Sequence, residues 1–257
     1  MAMFNWLKRI LGGSETGGAH PTGNQTQTDQ PRQADTHPTA AETHRRMDAA
    51  WARIGESDAD LLGYIVNPQF SGAPAWPNMR QAFRVVRRPD SLIIASDGLA
   101  DPAPEQTQAD DFSGFGAEVY IELPGLQDLP QSEIMAHWAF GLIESFAQNL
   151  AGWGGINASL NRYGVLSTTL PVPAEPAPGW LDAEGNVGVL VGIPVKGRAE
   201  TVDLPLGPVR LVAVTLLTPD ELAFVAAGGA QARAQLVQAL GEAGIGHLSI
   251  AGRDTVI

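Results

Sequence analysis

A chain of 257 residues that is 44% hydrophobic can bury one large core or two small ones. Its 28 acidic against 16 basic residues leave a net charge of −12, which repels nucleic-acid phosphates and draws basic proteins. It has no cysteine, so disulfides, thiolate nucleophiles and cysteine-held zinc are excluded, which fits a globular protein of a reducing compartment such as the cytoplasm.

Taken in chain order, residues 1–12 place Met3, Leu7, Ile10 and Leu11 on one helical face, with Lys8 and Arg9 toward the other. The stretch is too short to span a bilayer and lacks the apolar core of a signal peptide, so it reads as a frayed amphipathic terminus or as a weak membrane anchor. Residues 13–40 turn to Gly, Thr, Gln, Pro and Asp with almost no large apolar side chain, and a disordered linker is expected. His20, His37 and His44 in or beside it are spaced too irregularly to form a metal-ligand set. Residues 1–46 hold five basic and four acidic groups, so the negative charge belongs to the folded part, expected over 41–257.

That part opens with a helix over 41–54, in which Thr39 and Glu42 have capping-box spacing and Met47, Ala50, Trp51 and Ile54 share a face. Turn-rich sequence from Asn67 to Pro77 leads into strands through Phe83, Val85 and Arg87 and through Leu92, Ile93 and Ile94. Residues 131–151 read as one long helix whose apolar groups, Met135, Trp138, Leu142, Phe146 and Leu150, cover most of its circumference, so it is expected to lie over a sheet. Strands follow at 164–170, 187–193 and 209–217, the last so continuously apolar that it should be central. Helices at 219–225 and 230–243 and a short strand at 247–250 close the chain. The fold class is α+β: a mixed, largely antiparallel sheet with packed helices, in one two-lobed globular domain.

Between Leu92 and Leu123 the sequence is more distinctive. An Asp97-Gly98-Leu99-Ala100-Asp101 turn is followed by an acidic loop and by Ser113-Gly114-Phe115-Gly116-Ala117-Glu118-Val119-Tyr120-Ile121-Glu122, so two strands surround a constrained crossing. Gly98 and Gly116 mark backbone positions that only glycine fills, or points where a partner strand approaches closely. Asp97, Asp101, Asp110, Asp111, Glu118 and Glu122 are numerous enough to hold a divalent ion or do acid–base work, and a metal-dependent hydrolase built on residues 97–111 is the rival reading. Their spacing matches no calcium loop, and loop solvation together with a solvated strand face for Glu118 and Glu122 accounts for them. The cluster Arg80, Arg84, Arg87 and Arg88 is expected to pair with the acidic loop. There is no Gly-x-Ser-x-Gly elbow, phosphate-cradling loop or His-Glu-x-x-His pair, and His137 and His247 have no patterned serine nearby.

The ordered blocks, namely the strand, the Gly98-Leu99-Ala100-Asp101 turn, Ser113-Gly114-Phe115-Gly116, the helix near 131–151, Gly207-Pro208-Val209-Arg210 and Leu217-Thr218-Pro219-Asp220-Glu221-Leu222, resemble the suppressor of fused domain family over residues 48–253. The resemblance implies a noncatalytic, protein-binding domain without metal or cofactor. Animal members hold a transcription-factor segment in a cleft between two lobes, partly by strand addition, and many bacterial members look like immunity proteins that neutralise toxins. For this chain it implies a bacterial-type, cytoplasmic member that meets a protein partner, such as a basic toxin domain, through Asp97, Gly98, Leu99, Asp101, Asp110, Asp111, Phe112, Phe115, Glu118 and Tyr120. A membrane-peripheral scaffold recruited by residues 1–12 is a third possibility.

Overall fold

In a computed structural model, which describes residues 37–257, the chain runs α1 (Ala40–Ala52), β1 (Glu56–Ser57), β2 (Leu62–Gly63), a 3-10 turn (Pro68–Ser71), β3 (Ala82–Arg87), β4 (Ser91–Asp97) and β5 (Ala117–Pro124). It continues with α2 (Gln131–Ile134), α3 (Trp138–Trp153), α4 (Asn157–Tyr163), β6 (Leu166–Pro171), β7 (Asn186–Val191), β8 (Thr201–Leu204), β9 (Gly207–Leu216) and α5 (Pro219–Glu242). The expected helix at 1–12, and His20 with the linker as far as residue 36, lie outside the described residues.

The sheet order is β1-β3-β4-β5-β9-β7-β6, with β2 also on β3 and β8 also on β9. Every pairing is antiparallel except β5 with β9, which run parallel from Ala117↔Arg210 to Tyr120↔Ala213. Strand β9 is central, as its apolar run predicts. Its first half pairs with β5 and β8 and its second half with β7, so the two expected lobes are halves of one sheet sharing a strand.

Because successive strand residues face opposite ways, β4 feeds two cores. Leu92 and Ile94 join Val119, Ile121, Val212 and Val214 under Leu142, Phe146 and Leu150 of α3. Ile93 and Ala95 join Tyr120, Val209 and Leu211 under Met47 and Trp51 of α1. A third cluster sets Val225, Leu236 and Leu240 of α5 against Leu190 and Leu217. Strand β4 is buried along all seven residues.

Four sequence expectations need correction. Thr39 does sit at the N-cap of α1, but its side chain does not cap: the hydroxyl meets His37 Nδ1 at 2.8 Å, and Glu42 turns instead to Arg45 and Arg46. The single helix over 131–151 is two, because His137 adopts extended backbone (φ −76°, ψ 141°) and its Nδ1 accepts the Ala139 N–H at the start of α3. The two C-terminal helices are joined in α5 across a break at Gly229 (φ 57°, ψ −134°). Residues 247–250 form no strand; they wedge between β5 and β9 where the parallel pairing stops. There the Ser249 N–H donates to Glu122 O (2.9 Å), Ser249 Oγ accepts the Leu216 N–H (3.0 Å) and Thr215 Oγ1 donates to His247 O (3.0 Å).

Candidate functional site

The crossing between β4 and β5 stands on an ion network buried under α1. Asp97, the last residue of β4, takes Arg84 Nε and Nη2 at 2.9 and 2.7 Å, and Arg80 Nη2 lies 2.5 Å from its other oxygen. Arg84 also reaches Asp48 of α1 at 2.6 Å. Asp101 receives Arg80 Nε and Nη2 at 2.8 and 2.9 Å and His44 Nε2 at 2.9 Å. Burial pushes the Asp101 carboxyl up, yet the bonds from His44 and Arg80 outweigh it and hold the group below its ordinary value. The space left beside His44, Arg80, Asp97, Asp101 and Glu118 is about 10 Å³, no more than one water fills.

Glu118 organises the turn itself. Its Oε1 accepts the N–H groups of Gly98 and Ala100 (3.0 and 2.9 Å), and its Oε2 accepts the Ser96 hydroxyl. Gly98 lies at φ 142°, and a Cβ there would meet Arg80 O at 2.1 Å; Gly116 lies at φ 73°, with Asn157 Nδ2 at 2.4 Å from its Cβ position. Both glycines are therefore required by the fold. Burial, and then the neighbouring Asp97 carboxylate, raise Glu118 to about 7 despite its three donors, all of them uncharged.

Two positions along the same strand face, Tyr120 packs edge-on against Trp51 (5.8 Å) beneath the Arg198 guanidinium (5.2 Å), and two further on is Glu122. Glu122 accepts from Ser91 Oγ (2.7 Å) and Arg198 Nη2 (2.8 Å), and lies 2.7 Å from His247 Nε2 and 3.0 Å from Arg88 Nε. Burial works against its ionisation, but His247, Ser91 and the charge of Arg198 prevail and bring it down to about 2. The solvated strand face expected for these acids is therefore wrong: Glu118 and Glu122 are 2% and 3% exposed because α1 and the segment around Arg198 cover them.

Among the solved structures, the fold is similar to the Sufu–Fu complex crystal structure, at a TM-score of 0.52 and 13% identity over 86% of this chain and 93% of that one. It is also similar to the crystal structure of Drosophila Suppressor of Fused, at a TM-score of 0.55 and 13% identity. The chain folds as a suppressor of fused-like domain. The second match covers 86% of this chain and 52% of the Drosophila chain, so the domain spans about half of that protein. No family model and no curated protein matches the sequence.

Within this suppressor of fused-like domain, the ten residues expected to meet a partner separate into two groups. Asp97, Gly98, Leu99, Asp101, Glu118 and Tyr120 are buried and form the base of the crossing. Asp110, Asp111 and Phe112 stand exposed at the tip, with Phe115 half-buried beside them. Inside the tip, Asp110 Oδ2 accepts the Thr107 N–H at 2.7 Å, and Gln106 ties the loop together by accepting from Ala103 N and Gly114 N. Arg80 and Arg84 pair with the crossing as expected. Arg87 instead pairs with Asp58 (2.7 Å) and Arg88 with Glu122. Among the described residues no three His, Asp or Glu side chains converge to hold a metal ion, and the rival hydrolase would have to draw Asp97 and Asp101 away from their guanidinium groups.

Sequence reasoning missed His44 as a partner of Asp101, and it missed the Glu122 cluster, whose members are scattered from Arg88 to His247. It also missed a groove of about 920 Å³ between α1 and the segment that joins β7 to β8, with Glu122 in its lining.

Proposed function

We propose that this is a noncatalytic protein-binding domain that presents the tip of its acidic crossing to a polypeptide. The observation that carries this is the division within one loop. Its buried carboxylates are engaged by arginine, histidine, hydroxyl and backbone donors, while two carboxylates and an aromatic ring are left at the surface. An exposed aromatic on a braced loop suits an interface anchor, and flanking acids select and steer a basic partner. One of the similar structures is a Sufu–Fu complex, which agrees with a protein as the ligand.

The finer reading is an immunity protein of bacterial type that neutralises a basic toxin domain in the cytoplasm. Its support is the net charge of −12, which accelerates capture of a cationic partner, and the absence of cysteine. Photo-crosslinking tests the site: p-benzoylphenylalanine in place of Phe112 should trap one polypeptide that the same probe at the fully exposed Ile65 does not. Equal trapping from both positions, or none from position 112, overturns the site. For the immunity role, a cationic toxin domain encoded beside the gene should lose activity on addition of one equivalent of the protein; undiminished activity overturns that role and leaves the docking site standing.

A further inference from the structure

The groove between α1 and the β7–β8 segment differs in charge from the rest of the molecule. Six of the chain's 16 cationic residues line it, against three of its 28 acidic ones. Arg45, Arg46 and Arg53 come from α1 and its C-terminal end, Lys196 and Arg198 from the opposite wall, and Arg88 from the end of β3. Arg53 and Lys196 are exposed, and among the described residues neither forms an ion pair.

Glu122 does not spoil this field. Its one negative charge faces the two positive charges of Arg88 and Arg198, so the lining around it stays net positive whatever the state of His247. The other two acids of the lining, Asp90 and Asp203, are exposed. Guanidinium forks match phosphate and carboxylate geometry, and besides that of Arg53 four of them stand in this lining: Arg45 and Arg46 share the single charge of Glu42, and Arg88 and Arg198 that of Glu122, so each pair leaves one positive charge over.

We propose that this groove is a binding site for a small phosphate-bearing anion. Its volume falls within the range of small-ligand pockets, roughly 300–1,000 Å³, and apolar walls from Ile54, Val195 and Leu211 would take the uncharged part of such a molecule. Nucleic acid is disfavoured by the strongly acidic remainder of the protein, which a ligand confined to the groove does not meet. The site is separate from the exposed tip at Asp110–Phe112, none of which lines the groove, and it stands or falls independently of the docking role.

Calorimetric titration of the full chain with pyrophosphate and, separately, with hexaglutamate at fixed ionic strength tests the proposal. Pyrophosphate should bind at one site, and the exposed-residue double variant Arg53→Ala/Lys196→Ala should weaken it by about tenfold or more without changing the melting temperature. The absence of pyrophosphate binding, or binding indifferent to the double variant, overturns the proposal. Binding of hexaglutamate with pyrophosphate silent overturns it in favour of an acidic peptide.

Discussion

On one face of β5, Glu118 and Glu122 are four residues apart, equally buried, and driven in opposite directions. Glu118 has uncharged donors and a carboxylate neighbour, while Glu122 has two guanidinium groups and an imidazole. Their effects on stability therefore run in opposite senses. With its folded-state pKa raised from 4.5 to about 7, Glu118 holds its proton more tightly when folded, so stability falls as pH climbs through that window. Glu118→Gln should flatten this fall in chemical-denaturation curves taken from pH 4.5 to 7, since an amide still accepts from Gly98 and Ala100. Glu122, lowered to about 2, contributes stability that is complete above 4.5 and lost as pH drops toward 2. Glu122→Gln strands Arg88 and Arg198 and should cost roughly 3 kcal/mol in denaturation at pH 7. Reversing Arg87 and Arg88 to glutamate should also lower the melting temperature, with Arg88→Glu the worse because it puts a second acid beside the deeply buried Glu122 while Arg87→Glu faces the more accessible Asp58.

At the scale of elements, the strands announced themselves through β-branched runs, and β9 as the central strand was legible from its apolar length alone. The capping box at Thr218 and Glu221 is a local pattern in the sequence and forms as written, with Thr218 Oγ1 accepting the Glu221 N–H at 3.2 Å. The similar spacing at Thr39 and Glu42 fails because His37 and two arginines compete for the same side chains. The break at His137 was illegible because the apolar periodicity of Trp138, Leu142 and Phe146 runs smoothly into the residues before it. Nor does any local pattern tell that residues 247–249 fill the opening between β5 and β9 in place of a strand. Ser249→Ala removes the acceptor of the buried Leu216 N–H and should cost about 1–3 kcal/mol in thermal or urea unfolding.

Across the whole molecule, charge is sorted by place. Asp97 and Asp101 under α1 are neutralised by Arg80 and Arg84, and cations gather in the groove beside that helix. At the exposed tip of the crossing, Asp110 and Asp111 have no cation within ion-pair distance among the described residues. The crossing itself was visible in the sequence as a glycine-bounded acidic turn, because it is local. Which of its acids brace the loop and which face outward depends on His44, Asp48, Arg80 and Arg84, contributed from 13 to 57 positions away in the chain. In the proposed role this base holds Asp110, Asp111 and Phe112 for a polypeptide. The test is calorimetric affinity for the polypeptide trapped from position 112, comparing the unaltered chain with Asp111→Asn/Phe112→Ala. Affinity should weaken by roughly tenfold or more at a temperature where both proteins are folded; equal affinity for the two proteins would contradict the docking role.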